Sequence, residues 1–187
     1  YRNMKKIENK SGITLIALVI TIIVILILAG ISIGEGTQLI KKAKIESLMT
    51  NMITIKANAK IYAEEINAEV WDLKEDDEDV TKTKSYNRSN LCSTKYNMEK
   101  IEDATEIVSK VDSSINDSNG CEVYNITTET LTEMGLSNLA SDSEDGEFVV
   151  VYNSADFTKL EIVYPSGIKY DNSVFYTLSN LKNKMEE

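Results

Sequence analysis

The chain has 187 residues, two cysteines, one proline, no histidine and a net charge of −10. Lacking histidine, it lacks the commonest general base and the commonest metal ligand; two cysteines cannot complete a zinc site, and no phosphate-loop, dinucleotide or nucleophile-elbow pattern appears, so neither an enzyme nor a cofactor is expected. Residues 1–60 hold nine Lys/Arg against three Asp/Glu, a net of +6, whereas residues 61–187 hold eleven against 27, a net of −16, so the outer part repels phosphates and is not expected to bind nucleic acid.

The first element is an apolar run. No charge occurs from Ser11 to Gly34, and Ile13 to Ile33 is 21 residues of mostly Ile, Leu, Val and Ala. As a helix this run is about 31 Å long, enough to cross a bilayer core. It is too long for the apolar part of a secretory signal, and Ala-Gly-Ile-Ser-Ile-Gly at its far end is a poor cleavage site. Arg2, Lys5, Lys6 and Lys10 precede it, opposed only by Glu8. This charge places the N-terminus in the cytoplasm and the rest outside. Lys41, Lys42 and Lys44, just past the run, weaken that orientation.

Charge stops and the apolar run begins at Lys10-Ser11-Gly12, followed by Ile13-Thr14-Leu15-Ile16-Ala17. This junction resembles the type III signal of type IV prepilins and pilin-like proteins. The resemblance covers about 25 residues and is specific, since charge boundary, glycine and run coincide. It implies that a prepilin peptidase cuts between Gly12 and Ile13 and methylates the new N-terminus. Residues 1–12 are then a leader, with Met4 a candidate start. Residues 13–37 are a membrane-spanning and later filament-core helix, and residues 38–187 an extracellular globular domain. Most of that family carries a glutamate where this chain has Ala17, and the carboxylate is thought to meet a neighbour's terminal amine. Ala17 therefore puts the role of an abundant subunit in doubt. A plain, uncut single-pass anchor is the alternative for the whole stretch.

Gly34 and Gly36 follow, each costing about 1 kcal/mol in a helix relative to Ala. The helix is expected to continue through this zone, which by resemblance can stretch or unwind in a filament; a loose turn is the alternative. From Gln38 the pattern is helical again. Ile45, Met49, Met52, Ala59, Ala63, Ile66 and Val70 recur at spacings of 3, 4 or 7, with Lys56 the polar member of the row. Such an amphipathic helix needs a surface to pack on, and Met49 and Met52 read as core.

Trp71 to Tyr96 is polar and reads as a long loop. Its run Glu75-Asp76-Asp77-Glu78-Asp79 is a solvated acidic stretch rather than a calcium loop, since it lacks the alternating ligand spacing. Ile101 to Val111 predicts a short helix, and Asn116 to Gly120 a turn. Cys121 to Ile126 alternates as a strand. Thr127 or Thr128 caps a short helix ending at Gly135, and Ser141 to Gly146 turns. Glu147–Tyr152 and Leu160–Tyr164 form a hairpin across Asn153 to Asp156. Pro165-Ser166-Gly167 turns into Ile168-Lys169-Tyr170, and Val174-Phe175-Tyr176 is a further strand or the start of a closing helix. The expected fold is α+β: a long N-terminal helix, membrane-spanning in its first half and amphipathic in its second, packed on an antiparallel sheet of three or four strands.

Cys92 and Cys121 fall in the part expected outside, where an even count favours a disulfide. Closing a loop of about 30 residues, it would stabilise by roughly 3–4 kcal/mol; two free thiols are the alternative. Asn87-Arg88-Ser89, Asn116-Asp117-Ser118 and Asn125-Ile126-Thr127 match glycosylation sequons, as short polar segments do by chance.

The resemblance implies a structural subunit of a type IV pilus or related filament. Its partners are then the prepilin peptidase, other pilin subunits, a platform protein and an assembly ATPase. It would sit single-pass in the membrane before assembly and on the cell surface afterwards. A minor pilin or pseudopilin that primes assembly is the first alternative. An uncut, membrane-anchored domain that binds a ligand is the second, and an anchored enzyme the third.

Overall fold

A computed structural model describes the backbone of residues 11–71 and 80–186, and their side chains except at 11–17, 26–37, 71 and 80–86. The chain divides into two compact units, Tyr1–Lys44 and Ile45–Glu187. Helix α1 (Ser11–Trp71) contributes to both and continues through Gly34 and Gly36 without a break. The helix continues there as expected, and the alternative turn does not form. Two glycines cost about 2 kcal/mol together, and a helix already propagating on both sides absorbs that.

The expected membrane-spanning first half is corrected. Among the described residues, no helix is long and apolar enough to cross a membrane. Of the apolar run, the side chains at 13–17 and 26–33 lie outside the described residues. The transmembrane assignment therefore does not stand, nor does the single-pass location derived from it.

The second unit has α+β architecture. After α1 come α2 (Val80–Tyr96), β1 (Glu99–Lys100), α3 (Thr105–Val108), β2 (Cys121–Ile126), α4 (Thr128–Glu133), α5 (Ser137–Asp142), β3 (Phe148–Asn153), β4 (Leu160–Tyr170), β5 (Ser173–Thr177) and α6 (Leu178–Glu186). The sheet has five strands in the order β1-β2-β3-β4-β5, each antiparallel to its neighbours. Two strands more than the minimum expected arise because Glu99–Lys100 adds a short edge and Val174 lies in a strand rather than a helix.

Strand parity separates two cores. Tyr124, Ile126, Phe148, Val150, Tyr152, Leu160 and Ile162 pack with Met52, Ile55, Ala59, Ala63, Ile66 and Val70 of α1. The intervening residues Val123, Val149, Val151 and Val163 form a second cluster, covered by Ala104, Ile107, Val108 and Val111. β3 is buried on both faces, which explains its unbroken run Phe-Val-Val-Val-Tyr. Lys56, the polar member of the α1 row, reaches the buried Glu161 carboxylate at 3.2 Å. Ser179 at the start of α6 donates to the same carboxylate, and the backbone N–H of Ile162 donates to it at 2.9 Å.

Residues 80–96 are helix where a loop was expected. Arg88, Cys92 and Tyr96 recur at i, i+4 and i+8 and face inward. The Tyr96 ring stacks on Tyr62 of α1 at 3.9 Å, its hydroxyl donates to Glu65, and Lys95 pairs with Glu69. Arg88 donates to the Ser154 carbonyl at 2.9 Å and lies over the Phe157 ring at 4.8 Å. The acidic run 75–79 lies outside the described residues. Pro165 to Gly167 does not end a strand: β4 runs through it with a register shift between Val163 and Ile168. The turn comes later, at Asp171-Asn172, both with positive φ (47° and 60°), as a tight two-residue hairpin requires.

Candidate assembly surface

Large apolar side chains left in water mark a surface that another molecule covers. Leu18, Val19, Ile20, Ile22, Ile23, Val24 and Ile25 are each 45–63% exposed. They span two turns of α1 and so point in every direction around the helix. The polar residue among them, Thr21, turns its hydroxyl back to the Leu18 carbonyl at 2.8 Å. No polar face is left for solvent, and a helix apolar on all sides is stable only when surrounded. Leu39 and Ile40 are 67% and 58% exposed, and the exposed Lys41, Lys42 and Lys44 come next.

Gly12, Ile13, Thr14, Leu15, Ile16 and Ala17 fall in the opening turns of α1, and their side chains lie outside the described residues. The Gly12–Ile13 peptide is in the first turn, where backbone N–H groups have no intrahelical partner.

The expected disulfide between Cys92 and Cys121 is not formed: both thiols are free. Cys92 is fully buried in the cluster between the helices and the sheet, and burial pushes its thiol up to about 12. Cys121 packs with Val123 on the opposite face, where its Sγ donates to the Ile115 carbonyl at 3.5 Å. Residues of opposite parity on β2 point to opposite faces, so a bridge would require β2 to slip by one residue and turn its core side chains over.

Among the described residues, carboxylates gather where α4, α5 and the start of β3 meet. A groove of about 440 Å³ is lined by Asp142, Glu144, Asp145, Gly146, Glu147 and Ser166. A second, of about 330 Å³, shares Asp145 and adds Glu99, Glu129 and Thr128. Asp145 accepts from the Thr128 N–H at 2.7 Å, and Glu147 accepts from the Tyr164 hydroxyl at 2.8 Å. Among the described residues no group of three or more His, Cys, Asp or Glu side chains is arranged to hold a metal ion. A further groove of about 610 Å³ lies beside Cys121 and the 101–109 segment; its thiol is raised by burial and by the nearby Asp117 carboxylate.

Sequence reasoning missed this acidic end as a unit, because its carboxylates are spread over residues 99–147. It missed Glu161 as the partner of Lys56 for the same reason, although a lysine within an apolar helical row signals that some buried carboxylate must answer it. The chain matches no family model, no curated protein and no solved structure.

Proposed function

We propose that this chain is a structural subunit of a type IV pilus-like filament, matured by cleavage between Gly12 and Ile13 and assembled through the apolar first part of α1. The observation that carries the reading is the all-round exposure of Leu18 to Ile25. Covering these side chains with like helices of neighbouring copies would contribute about 25 cal/mol for each Å² removed from water. The Lys-Ser-Gly junction supplies the second support, since it sits at the start of the same helix. On this reading the partners are a prepilin peptidase, further pilin subunits, a platform protein and an assembly ATPase. Ala17, in place of the family's glutamate, leaves a minor subunit that primes assembly as the second reading.

The test is the mature N-terminus. Intact mass and N-terminal sequencing of protein from its native cell should give a chain beginning at Ile13 with a methylated amine. Gly12→Val puts a branched side chain beside the scissile bond and should leave the leader attached, with Lys5, Lys6 and Lys10. Such a subunit should be absent from sheared filaments, because burying those charges unpaired is prohibitive. Wild-type protein that still begins upstream of Gly12 would end this reading.

A further inference from the structure

Ion pairing in the described residues is uneven. Glu65, Glu69, Glu106, Glu122, Glu161 and Asp171 each sit beside a lysine. By contrast, among the described residues no lysine or arginine pairs with Glu129, Asp142, Glu144, Asp145 or Glu147, which line the two grooves that share Asp145. Lys41 and Lys44 likewise make no ion pair among the described residues. They are one turn apart on α1 and share a face with the exposed Ile40. The described residues thus include a basic and apolar helix face and an acidic surface, neither of which is neutralised by an ion pair among them. Left facing solvent, the acidic surface adds to the self-repulsion of a chain of net charge −10.

We infer that the helix face formed by Ile40, Lys41 and Lys44 docks against the acidic end of a second copy of this chain, at Asp142, Glu144 and Asp145. The contact rests on the filament reading and specifies how copies would be placed along it. Two different patches meet, so the contact is heterologous, and repeating it builds an open-ended array rather than a closed dimer. The apolar residues of the helix supply burial, and the charges set register and orientation. Like-charge contacts, lysine face on lysine face or acidic end on acidic end, are disfavoured by the same charges.

Zero-length carbodiimide coupling tests the contact on the full chain. Equal amounts of ¹⁵N-labelled and unlabelled protein are co-assembled and coupled, and the digested peptides are sequenced by mass spectrometry. The expected product is an isotopically mixed amide between Lys41 or Lys44 and a carboxylate of residues 142–145. The double variant Lys41→Glu/Lys44→Glu should raise the concentration needed for assembly about tenfold. Adding Asp142→Lys/Glu144→Lys, both at exposed positions, should restore it. Assembly by this contact should weaken as salt rises. Assembled protein whose mixed cross-links all lie elsewhere, or whose charge-swapped quadruple variant is no better than the double, overturns the contact and leaves the filament reading intact. A chain correctly matured at Ile13 that forms no assembly at any concentration overturns both.

Discussion

Lys56 shows how one polar residue can sit in an apolar row without breaking it. Its ammonium is about a third exposed, while the Glu161 carboxylate it meets is only 5% exposed. The carboxylate is the group at risk, because it has little water to fall back on. Lys56→Ala should lower unfolding free energy by about 1–3 kcal/mol in urea titrations, with the Ser179 and Ile162 donors limiting the loss. Lys56→Met/Glu161→Leu should cost less than Lys56→Met alone, since it removes the buried charge with its partner. The two cysteines give a second prediction. With Cys92 buried and Cys121 on the other face of the sheet, a reductant should leave the thermal midpoint unchanged. Native protein should label at Cys121 first, and at Cys92 only on unfolding. A linked 92–121 peptide pair recovered without reductant would contradict the arrangement. Parity on β2 makes this separation unavoidable, yet it becomes visible only once it is known which parity faces the helices.

At the level of elements, the hairpin of β4 and β5 depends on a close approach at Gly167. A Cβ there would lie 2.6 Å from Val174 Cγ1 and 2.9 Å from Tyr176 Cε1, and the residue has φ +76°. Gly167→Ala should therefore destabilise by about 2–4 kcal/mol, through strain at positive φ and displacement of β5, measured as a fall in thermal midpoint. An unchanged midpoint would mean that β5 is not seated as described. α4 illustrates the opposite case, a local rule that tertiary packing leaves alone. Thr127 takes the cap position, its hydroxyl accepting from the Thr130 N–H at 3.1 Å, and Gly135 ends the segment at φ +79°. α2 was hidden for a physical reason. Its outer face is Thr, Lys, Ser and Asn, which read as loop, and its inward residues Arg88, Cys92 and Tyr96 are held by aromatic stacking and hydrogen bonds rather than by aliphatic burial.

Across the molecule, four tyrosines meet at the helix–sheet junction. Tyr62, Tyr96, Tyr124 and Tyr152 all have their phenols raised, with burial the first cause in each. Tyr96 is pushed up to about 12, with the Glu65 carboxylate adding to burial. Tyr164, beside Glu147, is also pushed up to about 12. These groups favour the folded state while protonated. Their contribution is intact below the ordinary phenol value of about 10 and is lost as pH rises from there towards about 12. Unfolding should thus become cooperative with tyrosinate formation in that window, with the absorbance of ionised tyrosine and the far-ultraviolet dichroism changing together. Gradual ionisation without loss of secondary structure would show that these rings are not buried in one core.

Much of the second unit was legible in advance. The 3- and 4-residue recurrence of apolar residues predicts the packing face of α1, alternation predicts β2, and enrichment in β-branched and aromatic residues predicts β3 and the start of β4. Both follow from the fixed periods of helix and strand, which any chain must obey locally. The junction at Gly12 and the unbroken apolarity after it were also plain, since they need no partner to be read. Tertiary structure alone decided the rest. It carried β4 through a Pro-Ser-Gly segment that reads as a turn, because pairing with β3 and β5 holds both sides of the irregularity. It placed Cys92 and Cys121 on opposite faces, put Glu161 beneath Lys56, and drew carboxylates from four separate segments into one acidic end. Each of these is a relation between residues distant in the chain, and such relations come from the register of the sheet and the direction of the helix upon it, which no local pattern encodes.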